Sequence, residues 1–243
     1  MELTLYRIFP RGSHLQVGKV FSSHSVFELI VMEAIVSFEE WFEVISTLDS
    51  SEARWDVDDR ISCLPPTVVA DYLRRLFLDA PVLCRGITSA RLCHMIWFFN
   101  GVCSSYWHEV RSKDVPIEMQ ISTVLALGNF YRDFLDHYPL GDDFDASEAE
   151  TAVYMMWDMD CLEGAAIFPG EEHLVNPIFE VLGTALRCKS FGCQRSALHG
   201  LGHQEPYHPE RVHAEIDWVL SQEGRLHPLL ISYAHDARTG MIQ

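Results

Sequence analysis

Cys193-Gln194-Arg195-Ser196-Ala197-Leu198-His199-Gly200-Leu201-Gly202 is the stretch on which the fold turns. Its arginine–small–leucine–small spacing reads as a helix whose small residues let neighbouring backbones approach closely. That predicts a helix near Ser190–Gly202, and the same periodicity extends in both directions. Downstream, helices are expected at Pro209–Ser221 and Pro228–Thr239. Upstream, Glu171–Arg187 is a further helix, with Asn176-Pro177 marking a kink or a later start. Before it, the turn-rich acidic loop Gly141-Asp142-Asp143-Phe144-Asp145 leads into a helix from Ser147 to Asp160.

The amino-terminal half carries longer amphipathic stripes. Val26–Ile45 places Phe27, Ile30, Val31, Ala34, Ile35, Phe38, Phe42 and Ile45 on one face and glutamates largely on the other. Leu64-Pro65-Pro66 precedes a helix over Thr67–Leu78. Thr88 reads as the N-cap of a long helix to Val110, and Asp114 as the cap of another running to Leu135. Strand signals are confined to a weak run at Leu3–Phe9. The class is all-α. About eight helices joined by short polar loops fit an irregular HEAT-like superhelix of helical hairpins, which the small residues of the opening segment favour. An irregular globular helical bundle is the alternative.

Three pieces carry a family likeness: Tyr154–Asp158 (YMMWD), Cys193–His203 (CQRSALHGLGH) and Tyr233–Gly240 (YAHDARTG), with weaker echoes at Leu64-Pro65-Pro66 and Tyr72–Phe77. On these the chain resembles a family of uncharacterised bacterial all-helical, HEAT-like proteins that share the SALHGLGH segment. The resemblance implies a soluble helical protein and brings no catalytic residues. It runs from about residue 32 onward, so 32–243 reads as a single helical domain. Residues 1–31 do not match and include Arg11-Gly12-Ser13-His14, which looks like an expression-vector scar. They are read as a non-native or mobile leader, with Met32 as an alternative start.

Composition narrows the function. The 243 residues hold 35 acidic and 18 basic side chains, a formal net charge of −17, and only three of the basic residues are lysines. With no net basic footprint, neither nucleic acid nor an anionic membrane is an expected partner. The most apolar run is broken by glutamates and cannot span a bilayer. No signal peptide opens the chain, and seven cysteines without a Cys-x-x-Cys read as buried hydrophobes in a reducing compartment. A cytoplasmic location is expected.

No nucleophile elbow, Walker loop or Gly-x-Gly-x-x-Gly occurs, so an enzyme of standard type is disfavoured. The main expectation is an acidic helical module that binds another protein, basic in character, as an immunity-type inhibitor or an adaptor would. Its candidate contacts are Trp157 with Asp158 and Asp160, an aromatic anchor beside carboxylates, and the acidic loop residues Asp142, Asp143 and Asp145. The alternative is a metal-binding protein or metal-dependent hydrolase built on the histidine-rich end. His199 and His203, four apart, would share a helix face, with His208 and His213 as further ligands. Gly200 stands where a zinc protease of the His-Glu-x-x-His kind carries its glutamate, which argues against that enzyme class. No cofactor is therefore the default and zinc the alternative.

Overall fold

Ser37, Thr88 and Ser147 each turn a side-chain oxygen onto the backbone N–H three residues ahead, at 3.1, 3.4 and 3.1 Å. Each thereby satisfies a donor that a helix start leaves without a partner. The computed structural model describes residues 36–48, 59–101, 106–145, 147–158 and 162–242. The Leu3–Phe9 strand, the first part of the Val26–Ile45 helix and the alternative start at Met32 lie outside these residues. Val36–Gln243 forms one compact unit.

The α-helices, in chain order, are α1 (Phe38–Ser46), α2 (Asp59–Ser62), α3 (Pro66–Leu83), α4 (Ser89–Asn100), α5 (Tyr106–Val110) and α6 (Ile117–Asn129). They continue with α7 (Glu148–Tyr154), α8 (Val175–Leu186), α9 (Phe191–Gln204), α10 (Pro209–Ser221) and α11 (Ile231–Ala237). No strand occurs among the described residues, and none of their helices is long and apolar enough to cross a membrane. Several expected boundaries move: the helices expected from Glu171 and Pro228 begin at Val175 and Ile231 after 3₁₀ turns, the one from Ser147 ends at Tyr154, and the one running to Leu135 ends at Asn129. The stretch from Thr88 to Val110 is divided into α4 and α5, and Pro116 rather than Asp114 caps α6. Pro116 makes no side-chain cap bond, and its ring holds φ at −55° for entry into the helix.

Neighbouring elements pack in pairs: α1 on α4, α3 on α5 and α6, α4 on α7, and α6 on α8. Helix α9 is the centre of the carboxy-terminal half and meets α7, α8, α10 and α11 together with three 3₁₀ turns. Only Arg195 and His203 of its residues are not buried. The helix thus keeps almost no face in water.

Such a helix must satisfy every polar side chain internally. Gln194 donates to the carbonyls of Cys188 and Arg225 and accepts from the N–H of His227. Gln204 donates to the Glu163 carbonyl. Ser196 donates to the Val153 carbonyl at 2.7 Å, so its oxygen accepts from the Tyr131 hydroxyl at 2.8 Å, and Tyr131 in turn accepts from the Trp157 indole N–H at 3.0 Å. The start of α9 is closed from outside, because Asp136 accepts the N–H groups of Lys189 and Ser190. Of the described cysteines, Cys84, Cys188 and Cys193 are buried, while Cys63 is exposed.

Glycine lets the centre close. A Cβ on Gly200 would lie 2.6 Å from Leu182 and 2.8 Å from the Trp157 ring. One on Gly128 in α6 would touch only Thr184, at 3.7 Å. Gly200→Ala is therefore expected to destabilise the protein by ~1–3 kcal/mol through overpacking. Gly128→Ala should be neutral or stabilising by up to ~1 kcal/mol from helix propensity. Urea denaturation of the two variants, read by tryptophan fluorescence, checks the opposite signs.

Candidate metal centre

His199 and His203 stand one helical turn apart on α9, so their rings share a face and meet edge to face, with centroids 4.6 Å apart. The Tyr154–Asp158 segment ends against that face. Helix α7 gives way to a 3₁₀ turn at Met155–Trp157, and Trp157 inserts where Gly200 leaves room. The next residue, Asp158, is thereby carried to the two histidines. Its Oδ1 is 3.1 Å from His203 Nε2 and 3.8 Å from His199 Nε2, and the two Nε2 atoms are 3.1 Å apart.

Burial decides the charge of His199. Burial, with His203 and Arg195 adding to it, pulls the His199 imidazole down to about 3, so it is uncharged at neutral pH. Its Nδ1 lies 2.8 Å from the Tyr233 hydroxyl. Burial raises Tyr233 far above the ordinary phenol range, so it stays protonated. The tautomer in which His199 Nδ1–H donates to Tyr233, and Tyr233 passes its own proton to Tyr154 3.2 Å away, leaves a lone pair on His199 Nε2.

Given the three separations, a point about 2 Å from all three atoms exists, and zinc bonds imidazole nitrogen and carboxylate oxygen at ~2.0–2.2 Å. Among the described residues these three form the single cluster of histidine, cysteine or acidic side chains whose ligand atoms converge in this way. The surroundings grade from dry to wet. His199 is buried, whereas Asp158 and His203 border an open cleft of about 430 Å³ with Glu163, Ile167, Gly202, Pro206, Tyr207, Gly240 and Ile242.

The other expected site residues are placed elsewhere. His208 bonds the Ala166 carbonyl at 2.7 Å and stands edge-on to Phe179, and His213 faces Glu205 at 3.5 Å, so neither joins His199 and His203. Trp157 is 1% exposed and cannot anchor a partner, a correction to its reading as a surface contact. Asp158 belongs to the histidines, while Asp160 lies outside the described residues. Asp142, Asp143 and Asp145 are exposed on their loop, where Asp143 accepts the N–H of Asp145. The residues that spacing did not single out are Asp158 as a third ligand and Tyr233 as the support behind His199. Forty residues or so separate Asp158 from His199 in the chain, and only the packing of Trp157 on Gly200 closes that distance.

Behind the cluster, Arg195 lies over the Tyr154 ring at 4.2 Å and bonds both oxygens of the fully buried Glu150, at 3.1 and 3.2 Å. Fold and site together define an all-α protein with a two-histidine, one-carboxylate cluster at the end of a buried helix. No protein-family model, curated protein or solved structure matches the chain.

Glu150 depends on its single guanidinium partner. Arg195→Ala should cost ~3–5 kcal/mol, because it strands a buried carboxylate. The same substitution in a Glu150→Gln background should cost clearly less. A double-mutant cycle from chemical denaturation measures the difference, and equal costs would contradict the coupling.

Proposed function

We propose that the protein binds one divalent transition-metal ion through Asp158, His199 and His203, with further coordination positions open to the cleft. The observation that carries this reading is the convergence of three ligand atoms, 3.1, 3.1 and 3.8 Å apart, around a point at metal-bonding distance. Two imidazoles and one carboxylate suit zinc and ferrous iron alike, and three protein ligands leave room for water or a ligand. The arrangement behind the ligands supports it: Tyr233 fixes the ring of His199, as a partner behind a metal-bound histidine does.

Purified protein stripped of metal and titrated with zinc should take up about one ion per chain, measured by elemental analysis after desalting. The His199→Ala/His203→Ala double variant should fall to background, while His208→Ala and His213→Ala should bind as the parent does. Tyr233→Phe should weaken binding ~10–100-fold without abolishing it. Undiminished uptake by the double variant would reject the site.

A second reading keeps the protein-binding module, moved to a different anchor. What favours it is Phe144, 50% exposed between Asp142, Asp143 and Asp145 and propped edge-on against Phe191. An aromatic side chain among carboxylates suits a basic protein partner. On this reading, capture from a cell extract at low salt retains a basic protein, and Phe144→Ala with Asp143→Asn releases it. A protein retained equally by that variant sinks the role of the loop.

A further inference from the structure

The start of α9, at the far end of the helix from His203, borders a second opening in the surface. We infer that this pocket, between Cys188-Lys189 and the loop 224–228, binds a phosphoryl group, as free phosphate or on a small monoester, through Lys189 and Arg225 with His227 beside them.

The pocket encloses about 410 Å³, and its wall includes Lys189, Arg225 and His227 and no aspartate or glutamate. In a chain with 35 acidic side chains against 18 basic ones, two cations sharing a wall without a counter-charge are out of proportion. Arg187 and Arg238, in the same half of the chain, each hold a carboxylate. Among the described residues neither Lys189 nor Arg225 has an ion-pair partner: both side chains are exposed, and the Arg225 guanidinium lies 5.9 Å from the Trp218 ring. Two acids stand near without entering the wall. Glu223 precedes Gly224, and Asp136 accepts the N–H groups of Lys189 and Ser190 at 2.6 and 2.8 Å. Those two N–H groups are thereby taken, and the side chains supply the binding.

The two sides of the pocket are fixed to each other. The buried Gln194 amide donates at 2.8 Å to the carbonyls of Cys188 and Arg225 and accepts from the His227 N–H at 2.9 Å, so one side chain ties the Lys189 side to the Arg225 side. Gly224, at φ 68°, makes the turn that a side chain would strain, and the His227 ring stands edge-on to Phe191 with centroids 5.1 Å apart. Backbones held in this way present Lys189 and Arg225 to one space, and binding need not order the loop first. Lysine brings a compact charge with three donors and arginine a planar fork, and a phosphoryl group has oxygens enough to meet both at once. A monocarboxylate neutralises one of the two cations; a dianion neutralises both.

The pocket shares no residue with the Asp158, His199 and His203 cluster, so it is tested on the full chain freed of metal by a chelator, where no bound ion can take the anion instead. Inorganic phosphate and phenyl phosphate are titrated at neutral pH and constant ionic strength, followed by phosphorus NMR, with acetate as competitor. The phosphate resonance should shift saturably, and acetate should bind ~10-fold or more weakly than phosphate. Lys189→Ala/Arg225→Ala should weaken phosphate ~10-fold or more, while Lys113→Ala, at an exposed lysine outside the pocket, should bind as the parent does. Both replaced side chains of the double variant are exposed, and circular dichroism verifies that its helices are intact. Tighter binding of phenyl phosphate assigns the pocket to a monoester and tighter binding of phosphate to the free ion; either order supports the inference. Undiminished binding by the double variant overturns it, as does acetate that binds as well as phosphate, or a phosphorus resonance that the protein leaves unmoved.

Discussion

The indole of Trp157 lies against the backbone of α9 at Gly200, at a distance that no other residue type permits. Much of the carboxy-terminal half is arranged around that contact. It brings the end of α7 against the central helix and seats the indole N–H on Tyr131, which passes its own proton to Ser196. It also delivers Asp158 to the face that carries His199 and His203. Interiors are close-packed, so a methyl group placed between these elements has nowhere to go and the separation it forces is transmitted along the turn to Asp158.

Burying α9 on nearly every side has a second consequence. Polar groups on it are costly unless paired, and specific neighbours meet most of them: Gln194 by two loops, Ser196 by Tyr131 and Val153, His199 by Tyr233. The two side chains that escape burial, Arg195 and His203, face the two sides of the same chemistry. Arg195 neutralises Glu150 and covers Tyr154, behind the cluster, while His203 opens onto the cleft in front. An uncharged His199 in a dry position and a solvent-bordering His203 and Asp158 give the cluster an inner wall and an outer door.

The net charge of −17 has a location in this arrangement. Part of it lies in the exposed loop around Phe144, and part lines the cleft as Asp158 and Glu163. The first is a solvated surface feature; the second borders the cleft beside His203.

Local pattern determined the helical class, the cap at Thr88, and the pairing of His199 with His203, because each depends on residues within one or two turns of one another. It overextended where a period continues across a break, as between α4 and α5, since hydrophobic spacing does not mark the place where a chain changes direction. Gly200 was legible as a small residue without the glutamate of a zinc protease, while its part in admitting Trp157 was not legible. Trp157 looked like a surface anchor, and Asp158 like its companion, for want of any local signal that the indole is buried. The sequence by itself determined which elements form and which side chains share a helix face. Only the tertiary structure decided that Asp158 and Tyr233 belong with His199 and that His208 and His213 do not, because ligand sets are fixed by through-space distances that side-chain packing, not chain spacing, controls.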